Sequence, residues 1–303
     1  MHPIAFELFG LTIHWYGILI TLGILAAIAY SWFRAKQYGI THDQLTDLAF
    51  LVVIVGILGA RILYILTHLE IFIANPGLLF QFQMQGMAFL GIIIFNIPAV
   101  IIFARVRKIN FWRMTDLAAP AIAIGYFFGR LGCFMEGCCY GPACSWGIVI
   151  PGTSIAEPIF PTQLLNALVA LLIFGALWLI NKKSQLKAGE LFVWFIYLYA
   201  ATSTITEFFR ADQGHEAVFA IGGFGLNPAQ IGNIVLIIVA VIVHLLFIKK
   251  SQDLSMVDQE TVRMIEEKDR SSGKPAPKLP VEAEYQPEQA EPKEEKLEET
   301  GIK

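Results

Sequence analysis

The sequence predicts an all-α integral membrane protein: a bundle of about seven transmembrane helices, N-terminus outside and C-terminus cytoplasmic. Three observations carry this expectation. Of 47 formal charges in 303 residues, 24 lie in residues 249–303, which leaves 23 over 248 residues, about 9%, against ~25% in a soluble domain. Mean hydropathy is +0.60 and 56% of residues are hydrophobic. Lysine and arginine also occupy alternate connecting segments. The first two observations exclude an ordinary cytosolic enzyme, and the third sets orientation, because basic residues near span ends stay in the cytoplasm.

Seven apolar runs approach the ~20 residues that cross a bilayer, at 12–33, 47–67, 87–104, 116–134, 162–181, 189–210 and 229–248. None alternates with period two as a barrel strand would, so the backbone must satisfy itself as helix. The first run is followed by Arg34 and Lys36, the third by Arg105, Arg107, Lys108 and Arg113, the fifth by Lys182, Lys183 and Lys187, and the seventh by Lys249 and Lys250. Segments 1–11, 68–86, 135–161 and 211–228 contain no Lys or Arg, which places them outside. The absence of a basic stretch before the first run also argues against a cleaved signal peptide. The fourth run is the weakest, interrupted by Pro120, Gly125, Gly129 and Gly132, and its Gly125-x3-Gly129 spacing predicts a close helix neighbour. Residues 1–250 are expected to form the membrane domain. Residues 251–303, acidic and poor in aromatics, are expected to be a disordered cytoplasmic tail with a short helix near 255–268.

An ionisable side chain at a helix centre costs about 2.5–3.5 kcal/mol on insertion, so Arg61, Arg130, Glu207 and Arg210 need a reason. Spans two, four and six run outward, which puts all four in the outer half of the bundle, level with His14, Tyr16 and Gln163. One reading is an anion site, where the planar guanidinium groups of Arg61, Arg130 and Arg210 clasp a lipid phosphate. The other is an internal ion pair with Glu207 or Glu136. Cys133, Cys138, Cys139 and Cys144 crowd the same outer mouth. A structural disulfide is expected there, with reactive thiols beside Arg130 as the alternative. The C-x4-C-C-x4-C spacing does not match a common zinc pattern, so no metal is expected.

Trp15-Tyr16-Gly17, Gly59-Ala60-Arg61, Gly129-Arg130-Leu131-Gly132, Pro161-Thr162-Gln163-Leu164 and Glu207-Phe208-Phe209-Arg210, in this order, resemble the bacterial prolipoprotein diacylglyceryl transferase family over residues 1–248. The resemblance implies transfer of diacylglyceryl from phosphatidylglycerol to the thiol of a lipobox cysteine, at the outer leaflet of the bacterial cytoplasmic membrane. It implies phosphatidylglycerol and a prolipoprotein lipobox peptide as partners, no cofactor and no nucleic acid. By position it implies Tyr16, Arg130 and Glu207 as catalytic residues, and Arg61, Arg130, Gly141, Gln163, Arg210 and Gln230 as substrate-binding ones. Where the family carries its favoured base, a histidine, this chain has Leu90. Cys133 and Cys138 replace the signature's asparagine and carboxylate, Asn166 an acidic residue, and Ser203 and His14 arginines. His14, Glu136 or a cysteine thiolate are then the candidate bases. A related enzyme using its cysteines on another phospholipid or thiol, and a noncatalytic lipid-binding scaffold, are the alternatives.

Overall fold

A computed structural model describes residues 3–8, 11–80, 88–149, 157–183, 186–211, 219–221 and 224–247, with positions 267 and 271. The expected tail and its short helix lie outside the described residues apart from those two positions. A small antiparallel hairpin, β1 (Ile4–Leu8) with β2 (Leu11–His14), leads into α1 (Trp15–Arg34). There follow α2 (His42–Thr67), a short α3 (Leu69–Ala74), α4 (Phe89–Val106) and α5 (Phe111–Glu136). After β3 (Ala143–Ile148) come α6 (Thr162–Lys183), α7 (Glu190–Glu207), the hairpin β4 (Phe219–Ile221) with β5 (Phe224–Leu226), and α8 (Pro228–Leu246).

Each apolar run is the body of one long helix. Local signals set the ends: Thr41 and Gln44 cap α2 reciprocally, Asn110 caps α5, and Asn227 with Gln230 caps α8 immediately before Pro228. Among the described residues, five helices are long and apolar enough to cross a membrane, within Trp15–Tyr38, His42–Thr67, Phe111–Glu136, Thr162–Lys182 and Pro228–Leu246. The apolar α4 is shorter, and α7 carries Thr202, Ser203, Thr204 and Thr206 near its end. Ile54, Ile57, Leu58, Leu172, Val239 and Ile242 are exposed, a surface that water would penalise and lipid tails accept.

The bundle is built around α5, which packs on α1, α6 and α7, while α8 packs on α7 and α2 pairs chiefly with α4. The run expected to be weakest is therefore the central helix. Its 26 residues are continuous through Pro120, because Met114, Leu117, Ala119 and Ala123 are buried against neighbours that fix the backbone. The predicted close approach at Gly125 and Gly129 is made by α1: a Cβ on Gly23 would lie 3.5 Å from the Gly125 carbonyl oxygen, and one on Gly129 would lie 3.8 Å from Ile20. A Cβ on Gly125 would meet nothing within 4 Å, whereas one on Gly23 of α1 would lie 2.9 Å from the Cβ of Phe128. The other tight seam is between α2 and α4, where a Cβ on Gly59 would stand 2.7 Å from Phe95 and 2.8 Å from the Gly91 carbonyl.

One end of the bundle collects basic and capping groups. Arg107 at the end of α4 pairs with Asp47 at the start of α2, and Asn181 of α6 donates to Tyr38 at 3.1 Å. Asp116 is fully buried and accepts the backbone N–H of Gly189 at 2.6 Å and of Phe192 at 2.9 Å. It caps α7 from another helix, a structural role that its place beside an apolar run does not announce.

Candidate active site

The opposite end holds the site, where the turn after α5 meets the start of α6, the end of α7 and the start of α8. Gly137 terminates α5 in the left-handed region at φ 75°, and the Cys138 N–H returns to the Cys133 carbonyl at 3.2 Å, a Schellman closure. Cys139 is also left-handed, at φ 62°, a conformation costing about 1–3 kcal/mol in a non-glycine residue. The turn folds the vicinal pair back over the last helical turn, so that the sulfurs of Cys133, Cys138 and Cys139 all lie within 4.8 Å of one another. None of the four cysteines is joined to another. Hydrogen bonds from the Cys133 and Cys138 thiols hold Cys139 well below the usual thiol range; burial opposes this, and Arg210 and Arg130 assist it. The same hydrogen bonds, to Cys133 and Cys139, push Cys138 up.

Gly141 sits where three backbones converge. Its N–H donates to the Phe160 carbonyl at 2.9 Å, and the Ala211 N–H donates to Tyr140 at 3.1 Å. A Cβ on Gly141 would lie 2.5 Å from the Phe209 oxygen and 2.7 Å from Thr162 Oγ1. Thr162, fully buried, donates to the Phe209 carbonyl at 2.9 Å. Gln163, also fully buried, donates to the Cys138 carbonyl at 2.6 Å, while its buried Oε1 has no hydrogen-bond partner among the described residues.

Glu207 and Arg210 form the ionic centre. Arg210 Nη1 donates to Glu207 Oε1 at 3.2 Å, Arg210 Nη2 reaches Cys139 Sγ at 3.4 Å, and Asn227 Nδ2 donates to Glu207 Oε2 at 3.2 Å. Gln230 keeps its Oε1 for the Asn227 N–H at 3.1 Å, so part of its side chain is committed to holding Asn227 in place. Arg130 lies over the Tyr126 ring, 4.8 Å from its centroid, with Cys133 and Cys139 among its electrostatic neighbours. Tyr16 is packed so closely on α5 that a Cβ at Gly132 would be 3.0 Å from its ring. At the rim, His14 Nδ1 stands 3.5 Å from Glu136 Oε2.

The structure thus brings together Arg130, Arg210, Glu207, Tyr16, Gln163 and three of the cysteines. Arg61 is engaged by another segment, donating to the Leu78 carbonyl at 2.8 Å and covering Phe72. Leu90 is the second residue of α4 and is exposed; Gly86 and Met87 lie outside the described residues. Cys144 stands apart from the other three sulfurs, in the wall of an apolar cavity of about 560 Å³ shared with Trp146, Phe160, Leu165, Thr206 and Phe209. Asn227 is absent from the residues that the sequence singles out, and Thr162 stands there only as part of the Pro161-Thr162-Gln163-Leu164 motif, without a role of its own. An Asn-Pro-x-Gln run is a helix-cap signal, but the carboxylate that Asn227 also serves lies 20 residues away.

A profile described as prolipoprotein diacylglyceryl transferase matches residues 3–246. The chain belongs to the prolipoprotein diacylglyceryl transferase family. A phosphatidylglycerol–prolipoprotein diacylglyceryl transferase of Clostridium tetani is 35% identical over 218 residues, which cover 70% of this chain and 86% of that protein. One from Campylobacter hominis is 36% identical over 267 residues, covering 82% and 92%. A Clostridium perfringens protein, named as the second such transferase, is 35% identical over 219 residues, covering 70% and 84%. In this member of the transferase family the cysteine-rich turn occupies the centre of the matched region, in contact with both the α6 and α7 elements.

Proposed function

We propose that this chain transfers the diacylglyceryl group of phosphatidylglycerol to the thiol of a prolipoprotein lipobox cysteine. The observation that carries the proposal is a half-buried cationic cluster beside an apolar cavity, in a family whose named relatives act on these substrates. An anionic headgroup fits against Arg130 and Arg210, and an acyl chain fits the cavity walled by Trp146, Phe160 and Phe209. Glu207 holds Arg210 with its fork aimed at the cysteine turn, so the guanidinium is pre-positioned for charge that develops on the departing phosphate. Tyr16 orients the headgroup from α1. Arg61 serves the path by which lipid enters, and Gly141, Gln163 and Gln230 keep the site's backbones in register.

In this reading α4 and α7 also cross the bilayer, giving seven spans with the site at the outer leaflet of a bacterial cytoplasmic membrane. Support for α4 comes from its ends: the Ala88 N–H donates to the Ala60 carbonyl, while Arg107 meets Asp47, so the helix runs antiparallel along α2. The N-terminus then lies outside, residues 1–250 form the membrane domain, and residues 251–303 form a cytoplasmic tail. The test is purified full-length protein in lipid nanodiscs with phosphatidylglycerol and a lipobox peptide. A diacylglyceryl thioether and glycerol phosphate in equal amounts are expected. Their absence beside an active homologous enzyme would refute the reading and favour a lipid-binding scaffold.

A further inference from the structure

We propose that Cys133, Cys138 and Cys139 form a site for a thiophilic divalent cation, zinc in the first instance, whose fourth position takes the thiol to be alkylated. This rests on the transferase reading above. Three protein ligands with one open position is the ligand count of a catalytic zinc. The sequence spacing conceals it: C-x4-C-C becomes a three-sulfur face only because Gly137 and Cys139 both adopt left-handed backbone. The sulfurs lie within 4.8 Å of one another. Thiolates ~2.3 Å from a tetrahedral zinc are about 3.8 Å apart, a contraction of roughly 1 Å that side-chain rotation supplies.

The surroundings suit a thiolate-rich centre. Three thiolates and one divalent cation carry a net charge of −1, which Arg210, donating to Cys139 Sγ at 3.4 Å, and Arg130 offset. The turn is braced from outside by Gln163, whose amide holds the Cys138 carbonyl at 2.6 Å, an outer contact of the kind that fixes metal ligands. All three cysteines are only partly buried, so the fourth position opens toward the rim lined by Tyr16, His14 and Glu136.

The chemistry answers a need. The attacking species is a thiolate, and Leu90, exposed on α4, moves no proton. A cation-bound thiol is deprotonated outright, and its proton leaves through the His14–Glu136 pair to water. The bound sulfur then attacks the glyceryl carbon that bears the phosphate. The carbon–sulfur bond forms as the carbon–oxygen bond breaks, the electron pair departs on the phosphate oxygen beside the arginines, and glycerol phosphate is released. Nothing is oxidised or reduced. The thioether product is a poor ligand for the cation and dissociates.

The test measures zinc in the purified full-length protein and titrates the metal-free, reduced protein with cadmium, following thiolate-to-cadmium charge-transfer absorbance. Transfer activity is assayed in parallel. About one zinc per chain is expected, with saturation at one cadmium. C133S, C138S and C139S should each lower zinc occupancy at least tenfold, whereas C144S should retain it. Chelation should abolish transfer, and zinc should restore it. Active protein that lacks zinc, resists chelators and gives no charge-transfer band overturns the inference while leaving the transferase reading intact. Stoichiometric zinc without transfer would sink the transferase reading and leave the site. Should a serine variant fail to fold, protection of the wild-type thiols from alkylation by zinc decides the matter; no protection counts against the site.

Discussion

Replacing Gly141 with alanine tests whether this glycine touches substrate or holds the site's backbones together. The new Cβ would lie 2.5 Å from the Phe209 oxygen and 2.7 Å from Thr162 Oγ1, and neither neighbour yields easily. Phe209 offers a backbone atom, and Thr162 is fully buried and already bonded to it at 2.9 Å. Relief requires the turn to move off α7, stretching the Gly141–Phe160 and Ala211–Tyr140 hydrogen bonds. Two weakened hydrogen bonds at ~1 kcal/mol each and overpacking of ~1–3 kcal/mol give a destabilisation of about 3–5 kcal/mol. At about 2–4 °C per kcal/mol for a chain of this size, that lowers Tm by roughly 6–20 °C. Thermal unfolding in detergent, followed by tryptophan fluorescence, reads the shift, and Trp146, edge-on to Phe160 at 5.4 Å, reports locally. Because Ala211 follows Arg210, kcat should fall with little change in KM for phosphatidylglycerol. An unchanged Tm with a raised KM would refute the packing argument and show that Gly141 contacts the lipid.

Glu207→Gln removes the charge that orients Arg210 but keeps a group able to meet Asn227, so kcat should drop about 10²-fold with a stability loss of only ~1–3 kcal/mol; transfer kinetics and unfolding measured together check this. Arg130→Lys keeps the charge but loses the planar fork and the stacking on Tyr126, so KM for phosphatidylglycerol should rise tenfold or more, and a wild-type KM would exclude a headgroup role. Asp116→Ala strips the cap from α7 and leaves two buried N–H groups without their acceptor. It should cost about 2–4 kcal/mol while the folded fraction keeps near-normal kcat, as unfolding and transfer assays of one preparation will show.

The helices were legible because apolar length is a local property: every apolar run became the body of a helix. Their partners were not. Pro120 reads as an interruption in isolation, yet α5 is the central helix because its small residues admit neighbours, which the run itself does not reveal. The site divided in the same way. Arg130, Glu207 and Arg210 stood out because charge in an apolar stretch is expensive, and position along the spans placed them at one end. The three-sulfur cluster depends on positive φ angles at Gly137 and Cys139, either side of Cys138, and the Asn227–Glu207 contact joins residues separated by a hairpin. Neither leaves a periodic trace. The convergence of three arginines was too coarse, since level within the bundle does not specify which way a side chain turns, and Arg61 turns to the Leu78 carbonyl.

The central helix also sets a length standard for the molecule. Asp116 near one end of α5 fixes α7 through Gly189 and Phe192, and Arg130 and Cys133 near the other end serve the site. Fourteen residues separate Asp116 from Arg130, about 21 Å of helix. Inserting or deleting one residue between them would rotate one end by about 100° relative to the other, uncoupling the α7 anchor from the arginine and cysteine cluster whatever the inserted residue was. Natural variation in chain length should therefore accumulate in the loops and the tail, and the segment from Asp116 to Arg130 should stay constant in length even where its side chains change.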